Sequence, residues 1–94
     1  MTPRLSVREI AALHLVATGH SLDTAGAAMH LAPVTVKYYL RTASAELGTR
    51  ERAHTVAEAF RRGYLAVDPI TGHIVANPYA PARAIRLRPD EETS

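Results

Sequence analysis

The 94 residues of this chain allow one domain with one hydrophobic core, and 47% of them are apolar although only one is Phe and none is Trp. A core of Ala, Leu and Val favours closely packed helices, and the absence of cysteine excludes disulfides and thiolate metal sites. Residues 1–64 hold eight Lys or Arg against five Asp or Glu, whereas residues 65–94 hold three against four, so the formal charge of +2 permits a polyanionic partner without requiring one. No apolar run approaches the ~20 residues that span a bilayer, and we therefore expect a soluble, cytoplasmic protein without membrane contact.

The first helix is predicted over residues 7–18. Ser6 and Glu9 form a capping box, in which a hydroxyl and a carboxylate satisfy backbone amides of the first turn. Gly19 is well placed to end the helix in a left-handed conformation. The apolar face is expected to contain Ile10, Leu13 and Ala17, with Leu15 and Val16 beside them.

A second, shorter helix is predicted over residues 22–29, with Ser21 as its N-cap. Gly26 lies in its interior, where glycine costs ~1 kcal/mol relative to alanine, so we expect a packing gain that offsets this cost. Residues 30–32 then form a short turn, with Leu31 as an apolar plug beneath it.

The third helix is predicted over residues 33–47, with Pro33 at its first position. One apolar stripe recurs at helical spacing and is expected to be buried: Val36, Leu40, Ala43 and Leu47. Lys37, Tyr38 and Arg41 share the opposite face, which is suited to the major groove of DNA. These residue types are also typical of any solvated helix face.

The fourth helix is predicted over residues 49–63, capped by Thr49 and closed by Gly63. Its apolar face is predicted to contain Ala53, Val56, Ala57 and Phe60. Arg61 and Arg62 lie in the last turn, where cations suit the negative end of the helix dipole.

A β-hairpin is predicted after Tyr64, with strands over residues 64–67 and 73–76. The connecting segment from Asp68 to Gly72 has Pro69 at its second position, as in a type I turn followed by glycine. A third strand over residues 84–88 and disorder at the chain end are expected in the tail, residues 77–94, which contains three prolines. The predicted fold is mainly α, with four helices, a C-terminal hairpin and a flexible tail.

Catalytic and metal-binding patterns are weak in this sequence. The five histidines are scattered without the paired spacing of a zinc site, and no Gly-x-Ser-x-Gly turn or glycine-rich phosphate loop occurs. We expect no enzyme activity, no cofactor and no metal.

A wider set of positions, spread over residues 5–64, carries a family resemblance. The set is Leu5, Arg8, Glu9, Leu13, Leu15, Ala17, Gly19, Ser21, Leu31, Thr35, Val36, Lys37, Leu47, Gly48 and Arg52. In these positions the chain resembles the LuxR-type (GerE-like) helix-turn-helix domain of bacterial regulators. The resemblance implies a helix-turn-helix domain over residues 1–64, followed by a hairpin extension over 65–76 and the tail.

The resemblance also implies a site and partners. The third helix would lie in the major groove of double-stranded DNA, with Lys37, Tyr38 and Arg41 facing bases and Thr35 touching phosphate. The full predicted DNA-binding set is Ser21, Val34, Thr35, Lys37, Tyr38 and Arg41. The fourth helix would form a homodimer through Ala53, Val56, Ala57 and Phe60.

Three departures from the family pattern stand out. At the start of the second helix the usual Asn-Lys-Glu is replaced by residues 22–24, Leu-Asp-Thr, which is expected to lose the carboxylate half of a capping box. The Ser that usually caps the third helix is Ala32, and a common His is Tyr39.

The sequence is compatible with several alternatives. Because only four residues stand before Leu5 in this sequence, we expect a stand-alone member of the family without a sensor domain. The hairpin is interpreted as a wing for DNA, a dimer element or a dock for another protein. The leading function is a sequence-specific DNA-binding transcriptional regulator. The alternative is a protein-interaction module acting on RNA polymerase, a sigma factor or another regulator, with Tyr38, Tyr39 and Arg41 as anchors. A promoter-reading sigma-factor domain shares this logic, but the Leu47-Gly48 ending fits the LuxR type better.

Overall fold

The structure is a computed structural model that describes residues 4–77. The helices are α1 (Val7–Ala17), α2 (Leu22–Met29), α3 (Pro33–Leu47) and α4 (Arg52–Arg61), and the strands are β1 (Leu65–Val67) and β2 (Ile74–Ala76). The predicted mainly helical fold with a hairpin after its fourth helix is confirmed. The predicted third strand and the disordered chain end lie outside the described residues, and of the predicted tail only Asn77 is described.

The hydrophobic core lies between α1, α3 and the start of the hairpin. The predicted α3 stripe is buried at all four positions: Val36, Leu40, Ala43 and Leu47. Ile10 and Leu13 of α1 oppose it, and burial of side chains of this size stabilises a fold by about 1.5–3 kcal/mol each. Tyr64 is also buried, and its hydroxyl accepts a hydrogen bond from the Leu5 amide at 3.3 Å. Leu5 before α1 and Tyr64 before the hairpin, 59 positions apart, therefore meet in one core.

Helix α1 begins as its sequence predicts and ends one residue earlier. The Ser6 hydroxyl accepts from the Glu9 amide at 3.1 Å, and the Glu9 carboxylate accepts from the Ser6 amide at 2.8 Å. Thr18 is the C-cap rather than the last helical residue, and Gly19 follows with a φ of +101°.

A capping box also starts α2, which corrects the expectation that this box had lost one half. The Ser21 hydroxyl accepts from the Thr24 amide at 3.1 Å, and the Thr24 hydroxyl accepts from the Ser21 amide at 2.9 Å. A hydroxyl at the third helical position thus replaces the carboxylate, because both groups carry an oxygen that accepts from the N-cap amide.

The predicted packing gain at Gly26 is a close approach of backbone to backbone. A Cβ atom at this position would lie 2.6 Å from the Leu31 carbonyl oxygen, well inside van der Waals contact. The Leu31 amide donates to the Gly26 carbonyl oxygen at 2.8 Å, and His30 between them has a left-handed backbone with a φ of +59°. Glycine is therefore required for the tight turn that joins α2 to α3.

The predicted start of the fourth helix is wrong. Helix α4 begins at Arg52, and its N-cap is Glu51, whose side chain makes no capping hydrogen bond. Thr49 is only 8% exposed, and its hydroxyl lies 2.6 Å from the Thr55 hydroxyl. Thr49 is not the cap because its hydroxyl bonds inside the fold instead of accepting from a backbone amide.

The buried face of α4 does not coincide with its predicted apolar face. Thr55 and Ala59 are buried, Val56 and Phe60 are half-buried, and the remaining predicted positions, Ala53 and Ala57, are exposed. Thr55 is buried because its hydroxyl donates to the Glu51 carbonyl oxygen at 2.9 Å and is bonded to other hydroxyls, which hydropathy alone does not detect.

The hairpin is confirmed with both strands in antiparallel register. Leu65 pairs with Ala76 and Val67 with Ile74. The Gly72 amide donates to the Asp68 carbonyl oxygen at 2.7 Å, and the φ of Gly72 is +77°. His14 Nε2 of α1 lies 2.7 Å from the Ile74 carbonyl oxygen, so the hairpin is joined to the helices by a hydrogen bond as well as by the buried Leu65. Within residues 4–77, no helix combines the length and apolarity needed to cross a bilayer.

Candidate nucleic-acid interface

The face of α3 opposite its buried stripe is exposed to solvent. Lys37 and Arg41 are exposed, and Tyr38 and Val34 are 59% and 71% exposed. Thr35 is half-buried on the same first turn, and its amide is already used in a bond to the Ala32 carbonyl oxygen at 2.9 Å. Helix α3 has no side-chain cap at Ala32, as its sequence predicts, and Pro33 occupies its first turn.

Tyr38 is supported by its neighbour on the helix. The Tyr38 and Tyr39 rings make an edge contact, with centroids 5.7 Å apart and planes inclined by 62°. Tyr39 is half-buried and packs against the core, so one ring of the pair anchors the other, exposed ring.

The predicted DNA-binding residues do not all lie on one helix. Five of the six are on α3, whereas Ser21 is exposed at the start of α2. The Ser21 hydroxyl oxygen accepts from the Thr24 amide, so its capping role fixes where it points. Helices α2 and α3 pack on each other and are joined by the tight turn at Gly26. This packing fixes the position of Ser21 relative to the five predicted residues on α3.

Two further arginines join the positive charges of α3: Arg50 in the loop after α3 and Arg52 at the start of α4. Arg50 and Arg52 line a cavity of about 240 Å³ together with Lys37 and Arg41. We call this cavity, with its four cationic side chains, the basic cavity. The sequence interpretation includes Arg52 only as a family position and does not include Arg50 as a site residue. The sequence feature that could have identified both residues is the pair of arginines on either side of Glu51, shortly after the Gly48 that ends α3.

Ion pairing in the described chain is confined to the end of α4. Glu58 pairs with Arg61 and Arg62, each at 3.0 Å, and the hydrogen bonds from Arg61 and then Arg62 lower the pKa of Glu58 from its ordinary 4.5 to about 2. Within residues 4–77, the cations of the basic cavity take part in none of the ion pairs. Their charge is therefore available to an anionic partner.

The predicted dimer residues lie on α4, whereas most of the predicted DNA-binding residues lie on α3. Ala53 and Ala57 are exposed there, while Val56 and Phe60 contribute half-buried apolar surface beside them. Small exposed side chains next to larger apolar ones allow another helix to approach closely. Among residues 4–77, no group of three or more His, Asp or Glu side chains could hold a metal ion.

Residues 3–59, more than half of the chain, match the family described as "Bacterial regulatory proteins, luxR family". The chain belongs to the LuxR family. The resemblance found in the sequence is confirmed, and the described helices are the helix-turn-helix domain of this family of DNA-binding transcription regulators, which is not an enzyme class.

Two curated relatives carry the same name in two strains of one organism. They are the "Probable transcriptional regulatory protein NarL" of Mycobacterium tuberculosis strains CDC 1551 / Oshkosh and ATCC 25618 / H37Rv. Each is 38% identical to this chain over 65 residues, a region that covers 69% of this chain and 30% of the relative. The match thus spans less than a third of the relatives' length. No solved structure gives a significant match.

Proposed function

We propose that this LuxR-family protein is a sequence-specific, double-stranded DNA-binding transcriptional regulator that places α3 in the major groove. The observation that carries the proposal is the exposed face of α3, on which Lys37, Tyr38 and Arg41 stand opposite a fully buried stripe. An α-helix fits the major groove, where each base pair presents a distinct pattern of donors, acceptors and methyl groups. The family and the names of the relatives support the same role.

Each residue of the proposed site has a chemistry that suits its place. Arg41 offers the two parallel donors that pair with guanine, and Lys37 donates to a base acceptor or to phosphate. Tyr38 presents an aromatic ring and a hydroxyl, and Val34 presents an apolar surface suited to a thymine methyl group. Ser21 and Thr35, which lie at or near helix starts, are proposed to contact backbone phosphates.

The protein is proposed to act as a homodimer through α4. One helix of 15 residues contacts too few base pairs to select a genomic site, whereas two copies add their contacts. The exposed Ala53 and Ala57 lie beside half-buried Val56 and Phe60, which gives a self-complementary apolar surface. Because bacterial DNA is in the cytoplasm, we also propose a cytoplasmic location.

Selection from randomised duplex DNA at two salt concentrations tests this function. The retained duplexes should share an inverted repeat, and affinity should fall steeply as salt rises because phosphate contacts release counterions. Retention without sequence enrichment would contradict the base-reading role, and the absence of salt-sensitive retention would contradict DNA binding itself.

A second candidate is favoured by the exposed apolar side chains of the hairpin. Ile70 is 91% exposed and Val67 is 56% exposed, although neither contributes to the core. In this alternative the domain binds RNA polymerase, a sigma factor or another regulator, and Tyr38 and Arg41 act as anchors of the interface. A failed DNA selection combined with direct binding to purified RNA polymerase, lost in Ile70→Ser, would favour it.

A further inference from the structure

The basic cavity lies between α3 and α4 and combines a neutral floor with a cationic rim. Lys37, Arg41 and Ser44 line it at positions i, i+4 and i+7 of one α3 face, and Arg50 and Arg52 line it from the other side. Leu13 and Leu40 contribute apolar surface to the lining. Two of the proposed DNA-contacting side chains therefore also face this cavity.

The hydroxyl groups in the lining are already committed to each other. Thr55 donates its proton to the Glu51 carbonyl oxygen at 2.9 Å. Its oxygen lies 2.7 Å from the Ser44 hydroxyl and 2.6 Å from the Thr49 hydroxyl, so each of these must donate to it. Among the side chains that line the cavity, the strong donors for a ligand are therefore the lysine and the three arginines.

The charges around the cavity favour an anion. Four cations line it, and none of the acidic side chains within residues 4–77 does, although the exposed Glu51 lies between Arg50 and Arg52 in the sequence. Like charges gathered around one concavity repel one another, and a bound anion removes this repulsion. Arginine suits a phosphate in particular, because its guanidinium donates two parallel hydrogen bonds to phosphate oxygens.

The volume of the cavity suits a small anion. At about 240 Å³ it is far larger than the ~10–15 Å³ that one water requires. It is smaller than the ~300–1,000 Å³ of pockets that enclose whole metabolites or drug-sized ligands. A single phosphate group fits between these limits.

We propose that the basic cavity binds one phosphate group, held by Arg50 and Arg52, with Lys37 and Arg41 on the facing side of the cavity. This phosphate comes either from the DNA backbone or from free phosphate in solution. The first form of the proposal rests on the proposed function. In the second form, free phosphate competes with DNA for Lys37 and Arg41. In the first case Arg50 and Arg52 fix the position of α3 on the duplex without reading its sequence.

Titration with inorganic phosphate, followed by amide NMR, tests the cavity without DNA. Saturating shifts should concentrate at residues 37–44 and 50–55, and sodium chloride at equal ionic strength should not reproduce them. The double variant Arg50→Ala/Arg52→Ala should lose them, while Arg61→Ala, which removes a cation at the far end of α4, should keep them. Shifts that persist in the double variant would show that phosphate binds elsewhere and would contradict the proposal.

The salt dependence of DNA binding identifies the source. If a backbone phosphate fills the cavity, the slope of log affinity against log salt should fall by about 0.9 for each phosphate that the variant no longer neutralises, with unchanged sequence preference. Arg50→Lys/Arg52→Lys should restore the slope because it keeps both charges, and thermal unfolding of each variant checks the fold. Phosphate shifts with an unchanged DNA slope would assign the cavity to free phosphate.

The absence of phosphate shifts in the wild-type protein, together with an unaltered DNA slope in the double variant, would overturn the proposal. If the wild-type protein binds no DNA, the proposed function fails, and the phosphate titration alone still decides whether the cavity holds an anion.

Discussion

The Glu9 carboxylate of α1 accepts a hydrogen bond from the Thr42 hydroxyl of α3 while it caps its own helix through the Ser6 amide. Glu9 is buried, so the loss of either bond leaves one carboxylate oxygen in the interior without its donor. Thr42 follows Arg41 directly, and the bond therefore fixes the rotation of the helix that carries the proposed DNA-contacting residues. One carboxylate thus links a helix start to the orientation of the candidate site.

Replacement of Thr42 by valine should destabilise the fold by about 1–3 kcal/mol, because one Glu9 oxygen would be buried without its donor. Urea unfolding measures this loss. Thr18→Val is the matched control, since the exposed Thr18 hydroxyl bonds only to the Leu15 carbonyl oxygen of its own helix, at 2.9 Å. Equal effects of the two substitutions would show that the link to Glu9 contributes nothing specific.

Gly26→Ala should destabilise the protein, although alanine ordinarily stabilises a helix interior by ~1 kcal/mol relative to glycine. The new methyl group would meet the Leu31 carbonyl oxygen at 2.6 Å, and overpacking of this kind costs about 1–3 kcal/mol. Ala27→Gly at the adjacent exposed position measures the ordinary preference in the same helix. A stabilised Gly26→Ala protein would disprove the close approach of the turn.

Helix α3 could be predicted from the sequence because its local and its tertiary preferences agree. Its apolar spacing, Pro33 at the start and Gly48 at the end all indicate the same boundaries, and the structure reproduces them. The exposure of Lys37, Tyr38 and Arg41 follows from the same spacing, since the opposite face must be buried.

Helix α4 could not be predicted as closely, because its packing depends on polar contacts that join α3, the loop after it and α4. Thr49 and Thr55 look like surface residues by hydropathy, yet they are buried because their hydroxyls bond to each other and, at Thr55, to Ser44. The basic cavity escapes sequence reasoning for a similar reason. Its four cations are brought together only when the chain after Gly48 turns back along α3.

Arg41→Ala should weaken binding to the selected DNA site by about 1–3 kcal/mol and relax the base preference at one position, as expected when one bidentate pair with a base is removed. Fluorescence anisotropy with the selected duplex and its single-base variants measures both effects. Arg61→Ala removes the same charge from the end of α4 and should change neither. Unchanged affinity and preference for Arg41→Ala would contradict the proposed orientation of α3.

The ion pairs of Glu58 predict a pH dependence of stability. Hydrogen bonds from Arg61 and Arg62 lower the pKa of Glu58 to about 2, so the ionised carboxylate stabilises the fold above its ordinary pKa of 4.5, and this contribution is lost as the pH falls toward 2. The effect is moderated by solvent, because the Arg61 side chain is 66% exposed.

Urea unfolding at pH 5 and at pH 3 should therefore show a smaller loss of stability on acidification for Glu58→Gln than for the wild type. Glu46→Gln, at an exposed position outside the described ion pairs, should lose as much as the wild type. Identical acid sensitivity of wild type and Glu58→Gln would mean that the ion pairs do not persist in solution.

Ala57→Glu should shift the proposed homodimer toward monomer, because it places a charge in the middle of the exposed α4 surface. Light scattering over a range of concentrations measures the change in mass, and Ala45→Glu, at an exposed position of α3, is the control for added charge. Ala57→Glu should also lower the affinity of the protein for an inverted repeat far more than its affinity for a half-site, since only the repeat binds two copies at once. A monomeric wild-type protein at concentrations that saturate its DNA would contradict dimerisation in solution. An Ala57→Glu protein that binds the repeat as tightly as the wild type would exclude α4 as the dimer contact on DNA.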